Sequence, residues 1–147
     1  MVDNQKTEKL IKGISNLIVY KKGLITNDYI LGPVLGSCST QAVRQATNIL
    51  TKTERAVKIF KKIDQDENKF LTEIEVLAKL SHPNLMQIFE IYDDSRNFYI
   101  VSELCSGGEL FDKIIEKSFF SEKDASLIIK QILSAINYSH LNKIIHL

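Results

Sequence analysis

Apolar residues recur along this chain in two rhythms, and the change from one to the other places the elements. From Tyr29 onward, short runs rich in β-branched and aromatic residues occupy about 29–35, 42–49 and 54–60, separated by Gly32-Pro33, Gly36-Ser37 and Leu50-Thr51-Lys52-Thr53. Such runs and breaks predict strands in an antiparallel meander. Over 66–80 the period lengthens: Phe70, Ile74 and Leu77 recur at helical spacing, and Val76 and Leu80 widen the stripe. A helix is expected there, ending before Ser81-His82-Pro83-Asn84, because a proline drives its predecessor out of helical angles. Two more strands, 86–92 and 97–103, flank the polar turn Asp93-Asp94-Ser95-Arg96. Beyond Gly107-Gly108, residues 109–117 read as a short helix and 121–141 as a long one. The long one opens on a Ser121-x-x-Asp124 cap and carries the stripe Ala125, Ile128, Ile129, Ile132, Leu133 and Ile136. Ahead of Tyr29 the pattern is thin. Residues 1–13 are polar and lysine-rich and read as a mobile or weakly helical extension, and 16–20 as a brief β-prone run. The expected fold class is α+β: an N-terminal extension over 1–28, then a domain over 29–147 with a five-stranded antiparallel sheet, one packed helix and two following helices.

Within that pattern one residue demands a partner. Arg55-Ala56-Val57-Lys58-Ile59-Phe60 sets a lysine in an apolar strand, with Val57 and Ile59 on one face and Ala56, Lys58 and Phe60 on the other. If both faces are covered, an ammonium there needs an anion; an edge position, or a stem reaching to water, is the alternative. The following helix offers Glu73 and Glu75. Glu73 has Phe70, Val76 and Leu77 as its helical neighbours and is expected to face inward, whereas Glu75 neighbours Thr72, Ala78 and Lys79 and reads as a solvated residue paired with Lys79. Lys58 with Glu73 is therefore the expected pair, a salt bridge without function being the other reading.

Composition narrows the classes. A chain of 147 residues with 44% hydrophobic and 25% charged residues has a soluble globular balance, and a formal net charge of +1 argues against nucleic acid as the main partner. No apolar run reaches the ~18 residues of a membrane span, and Met1-Val2-Asp3 opens neither a secretory signal nor a myristoylation site, so a cytoplasmic location and no membrane partner are expected. Cys38 and Cys105 lack metal-ligand spacing and read as free thiols, and no metal site is expected.

The bend Leu35-Gly36-Ser37-Cys38-Ser39-Thr40-Gln41-Ala42-Val43 lies one strand before the lysine, where backbone NH groups can close over phosphates. With Ala56-Val57-Lys58, Glu73 in Thr72-Glu73-Ile74, His82-Pro83-Asn84-Leu85, and Glu103-Leu104-Cys105-Ser106-Gly107-Gly108-Glu109-Leu110-Phe111-Asp112, it makes an ordered set. The set resembles the amino-terminal lobe of a eukaryotic protein kinase over about 29–147. Gly107–Asp112, Phe120-Ser121-Glu122-Lys123-Asp124-Ala125 and Asn142-Lys143-Ile144-Ile145-His146 resemble the calcium-dependent and calmodulin-dependent serine/threonine kinases in particular.

The resemblance implies roles. Lys58 would hold the α- and β-phosphates of ATP, with Glu73 orienting it; Gly36 would belong to the phosphate loop; Leu35, Val43 and Ala56 would sandwich the adenine. Backbone atoms of Glu103 and Cys105 would bond the adenine edge, Glu109 would reach the ribose or a basic substrate side chain, and Ser102 would border a cavity behind the adenine. Departures are also visible. Cys38 and Gln41 stand where the family's loop has glycines, and Leu147 follows His146 where the H-R-D motif has arginine. The catalytic aspartate, the metal-binding asparagine and the D-F-G aspartate have no counterparts in these residues, and no EF-hand pattern is present. The expectation is an ATP-binding part of a serine/threonine kinase whose complete parent phosphorylates protein substrates and uses Mg2+. The residues given are expected to transfer no phosphate themselves, and the isolated chain is expected to self-associate through the unpartnered 121–141 stripe. The rival expectation is a non-catalytic, pseudokinase-like docking module.

Overall fold

The periodic segments fold where their pattern places them, and two elements that the pattern hardly shows join them. In the computed structural model, which describes residues 4–15, 17–37, 41–64 and 66–145, the elements of the first unit are Asn4–Ser15 (α1), Val19–Lys22 (β1), Tyr29–Ser37 (β2), Gln41–Asn48 (β3), Glu54–Lys61 (β4), Glu67–Ala78 (α2), Ile88–Asp93 (β5) and Asn97–Ser102 (β6). This unit runs to Lys79 and resumes over Gln87–Leu104; a second comprises Leu80–Met86 and the residues from Cys105 onward.

The sheet of the first unit has six strands in the order β1-β5-β6-β4-β3-β2. The sequence led us to expect five, all antiparallel. The sixth, β1, pairs parallel with β5 while the other pairings are antiparallel. Its four residues are too few to establish a period, and its partner lies far along the chain.

Strand side chains alternate between two faces, and each face carries its own core. On one, Phe60, Ile88, Ile91, Phe98 and Ile100 pack under Ile14, Ile18, Phe70, Leu71 and Ile74. A bulge between Ile88 and Glu90 lets Ile88 and Ile91, three apart, join the same core. Phe70 is the keystone: it stacks on Phe98 at 4.5 Å between ring centroids and meets Phe60 edge-on at 5.0 Å, each such pair adding about 0.5–1.5 kcal/mol beyond the area it buries. On the other face, Ile25, Tyr29, Ala46, Val57, Tyr92, Tyr99 and Val101 form the second core. Helix α2 starts where Asp66 accepts from the Lys69 backbone N–H at 3.0 Å.

Against the expectation of a mobile or weakly helical extension, residues 4–15 form a helix, α1, and it is docked rather than mobile. Leu10, Ile11 and Ile14, followed by Ile18, make an apolar stripe that packs into the first core, with Ile14 wholly buried, while Lys9 and Lys12 stay exposed. Lysine content masked an amphipathic helix. It runs alongside α2 in the same direction: the Thr7 hydroxyl donates to Asn68 Oδ1 at 2.9 Å, and six residues on, a Cβ at Gly13 would lie 3.1 Å from Glu75 Oε1.

The second unit contains Leu110–Lys117 (α3) and Glu122–Leu141 (α4). Ser121 caps α4 as its spacing predicts, accepting from the Asp124 backbone N–H at 3.1 Å and donating to the Asp124 carboxylate at 2.8 Å. The segment Leu80–Met86 is fastened to α4. The Ser81 N–H donates to Tyr138 Oη at 3.1 Å, and the Asn84 amide donates to the Gln131 carbonyl at 3.2 Å. His82 Nδ1 accepts from the Asn84 N–H, so its proton sits on Nε2 and reaches Ser134 Oγ at 3.0 Å. Of the expected α4 stripe, Ile129, Ile132, Leu133 and Ile136 are exposed, and Ala135 is the buried residue of this helix.

Candidate functional site

Register builds the site. Gly36, Val43, Lys58 and Ile100 lie opposite one another across β2, β3, β4 and β6, and the next row holds Gln45, Ala56, Ser102 and Ile88. Directly paired residues share a face, so Val43, Ala56, Lys58 and Ser102 line one strip beside Phe60. Ala56 and Ser102 are buried and Val43 is half-buried.

Lys58 is exposed, which corrects the expectation of a lysine covered on both faces. Its neighbours Ile100, Ala56 and Phe60 are buried, so the opening is local: the row running from Lys58 toward the β2 edge contains half-buried Val43 and then Gly36, which has no side chain to add. The Lys58 Nζ rests 5.0 Å from the Phe60 ring centroid and makes no ion pair among the described residues.

Glu73 is also exposed, and the Lys58–Glu73 pair is not formed. The inward-facing argument fails because two of the apolar neighbours it relied on lie outside the core, Val76 at 36% and Leu77 at 43% exposure; the buried stripe is Phe70, Leu71 and Ile74. At about 100° per residue, Asn68 and Glu75 fall on the flank of α2 that faces α1, and Glu73 on the opposite flank. Since α1 also touches β1 at one edge of the sheet, the Glu73 flank looks toward the strip that carries Lys58. Glu75 makes the expected bond to Lys79, at 3.1 Å, and is half-buried against α1.

The other candidates take separate places. Leu35 is exposed in a stretch of β2 whose register against β3 shifts twice. Beside it Arg44 Nε and Nη2 both donate to the Gly32 carbonyl, at 2.9 and 2.7 Å. A Cβ at Gly36 would meet nothing within 4 Å. Cys38 lies outside the described residues, and Gln41 stands in β3 opposite Phe60. The Ser102 hydroxyl donates to the Glu103 carbonyl at 3.3 Å. Glu103 is clamped to Gln87: its backbone N–H donates to the Gln87 carbonyl and its Oε1 accepts from the Gln87 N–H, both at 3.0 Å. With that N–H engaged, the Glu103 carbonyl, which takes only the long 3.3 Å bond from Ser102 and has a second lone pair, is the backbone group that can meet a ligand. In the second unit, Cys105 is an exposed free thiol, and Glu109 is exposed at the N-cap of α3 without capping it. His146 lies outside the described residues.

Sequence reasoning missed a polar cluster on the opposite face. Lys21 Nζ lies 2.8 Å from Asp28 Oδ2, 2.9 Å from Tyr92 Oη and 3.4 Å from Glu90 Oε2. The Tyr92 hydroxyl sits 2.6 Å from Asp28 and 2.7 Å from Glu90, with one proton to share between them, and Tyr29 donates to Glu90 at 3.1 Å. Hydrogen bonds from Lys21 and then Tyr92 hold the Asp28 carboxyl below its ordinary range. Burial works against charge on Lys21, but Asp28 and Glu90 outweigh it and raise its pKa. Burial first, then the two carboxylates, push the Tyr92 phenol up. This cluster ties β1 and the turn after it to β5. Its only sequence signal is the i, i+2 spacing of Glu90 and Tyr92 on one strand.

Taken as a set, the strip suits a nucleotide: Val43 and Ala56 offer apolar contact for a base, and Lys58 offers an unpaired ammonium for phosphate oxygens. For a divalent cation the fit is absent, since the described residues contain no group of three or more His, Cys, Asp or Glu side chains placed to ligate one.

Residues 29–147 match the family model described as protein kinase domain. A probable myosin light chain kinase of Dictyostelium discoideum is 40% identical over 129 residues, covering 86% of this chain and 33% of the relative. A calcium-dependent protein kinase 3 of Plasmodium yoelii yoelii is 43% identical over 113 residues, 76% of this chain and 21% of the relative. A calcium/calmodulin-dependent protein kinase type 1 of Macrobrachium nipponense is 39% identical over 130 residues, 86% of this chain and 37% of the relative. The chain thus spans less than two-fifths of each of these proteins. With the α+β lobe, the strip around Lys58 and these likenesses agreeing, the chain belongs to the eukaryotic protein kinase family.

Proposed function

We propose that this chain is the ATP-binding part of a serine/threonine protein kinase of the calcium-dependent or calmodulin-dependent kind, and that the complete parent transfers phosphate from ATP to protein serine or threonine. The observation that carries the reading is the exposed, unpaired Lys58 ammonium beside Val43 and Ala56. ATP would supply the phosphoryl group. Val43 and Ala56 would hold the base away from water, the Glu103 carbonyl would accept from its exocyclic amine, and Lys58 would attract phosphate oxygens, with Glu73 as the carboxylate that orients it.

A docking module that keeps the lobe without using ATP is the second reading, favoured by Cys38 and Gln41 standing where the family's phosphate loop has glycines and by the unmade Lys58–Glu73 pair. Calorimetric titration with magnesium-ATP separates the two. Binding that weakens at least tenfold in Lys58→Met supports the ATP site; no binding supports docking alone, and equal affinity in Lys58→Met overturns the role of Lys58.

A further inference from the structure

Helix α2 is gripped along one flank by α1 and carries Glu73 on the other. The grip is continuous over about two turns: the Thr7 hydroxyl reaches Asn68, Ile14 is buried in the core with Leu71 and Ile74, and Gly13 admits the Glu75 side chain where any other residue would crowd its Oε1 at 3.1 Å. With α1 docked, Lys58 rests on the Phe60 ring and Glu73 has no cationic partner among the described residues. Both charges are exposed, so in water neither suffers for remaining apart. On the sheet side α2 rests on Phe60 and Phe98 through Phe70, and its Leu71 and Ile74 share one core with Ile14 of α1, so a change in α1 is felt by the residues that seat α2.

From this arrangement we infer that α1 is an autoinhibitory latch: docked, it holds α2 back on the β1 side and keeps Glu73 off Lys58; undocked, it frees α2 to move toward β4 so that the pair closes and the nucleotide site strengthens. The inference deepens the ATP-site reading and rests on it for its consequence, though the movement of α2 can be measured without nucleotide. The device acts by population. α1 contributes binding energy only to the held-back placement, and anything that competes for its apolar stripe shifts α2 the other way.

The first test reads α2 directly. In the full chain with Cys38→Ser and Cys105→Ser, Lys58→Cys and Glu73→Cys are introduced together and their oxidation to a disulfide is timed, with and without Ile14→Ala. Several-fold faster closure with Ile14→Ala is expected; an equal or slower rate overturns the latch, because α1 then leaves α2 where it is or supports its approach. Should Ile14→Ala fail to fold, Thr7→Val, which removes the bond to Asn68, takes its place with a smaller change in the same direction. The second test reads the consequence as magnesium-ADP affinity. Ile14→Ala should bind several-fold more tightly than the parent chain, and Glu73→Gln should erase that gain; a gain that survives Glu73→Gln overturns the role of the pair. Equal binding by Lys58→Met would overturn the ATP-site reading while leaving the disulfide rates to decide the latch.

Discussion

Truncating Ile14 to alanine asks whether the segment before the sheet is an integral part of the lobe. Ile14 is wholly buried, with Leu71, Ile74 and Ile91 in the same core. The substitution removes three carbons, roughly 2.4 kcal/mol of transfer free energy at ~0.8 kcal/mol per group, and a residual cavity adds to it, so that buried isoleucine-to-alanine changes cost about 2–5 kcal/mol. With Leu10 and Ile11 only partly buried beside it, the helix can relax into the space, so the lower half of that range is expected, about 2–3 kcal/mol. Four of the five tyrosines, Tyr20, Tyr29, Tyr92 and Tyr99, lie in the first unit, and there is no tryptophan, so tyrosine fluorescence during urea unfolding reports that unit. With a urea slope of about 1–3 kcal/mol per molar, the midpoint should fall by roughly 1–2 M. Lys12→Ala, exposed on the same helix, is the control. A midpoint for Ile14→Ala indistinguishable from that of Lys12→Ala would show that α1 is not docked in solution and would refute the packing argument.

Asp28, held below its ordinary pKa by Lys21 and Tyr92, contributes stability that is present above the unfolded carboxylate value of about 3.9 and is lost as pH falls through its lower folded value. The urea midpoints of the native chain and Asp28→Asn should therefore differ by a constant amount above about pH 5 and converge in acid; a gap unchanged down to pH 2 would contradict the cluster. Ser102 is buried opposite Ala56 and Ile88, so adenine analogues with a bulky aromatic substituent should bind better to the native chain than to Ser102→Met, and equal affinities would show that another side chain fills the space. The exposed Ile129, Ile132, Leu133 and Ile136 on α4 should make the isolated chain self-associate. Sedimentation at tens of micromolar should show it, and a clean monomer that binds no hydrophobic dye would count against it.

What the sequence reveals and conceals follows from the range of the interactions involved. Strands β2 to β6 and helices α2, α3 and α4 were legible because their periods and caps are local properties, as with Ser121 and Asp124. So was the position of Lys58 on a central strand beside Ala56. Its exposure was not legible, because that depends on how far α2 reaches across the sheet, which follows from the packing of α2 on Phe60, Phe98 and α1, contacts between segments that lie apart in the sequence. Glu73 misled for a related reason: its apolar neighbours Val76 and Leu77 define a stripe in sequence but not the one that α2 buries. Strand β1 showed only as the brief β-prone run at 16–20, and its parallel pairing with β5 and the cluster of Lys21, Asp28, Glu90 and Tyr92 assemble from segments too far apart for a local pattern to reveal.

The central claim is that nucleotide enters the strip across β3 and β4, and backbone amide NMR during titration with magnesium-ADP tests it most directly. The account predicts the largest shifts at Val43, Ala56, Lys58, Ser102 and Glu103, little change at Val19–Lys22 or Tyr92, and loss of the response in Lys58→Met. Shifts confined to α3 and α4, or a response that Lys58→Met leaves intact, would contradict it.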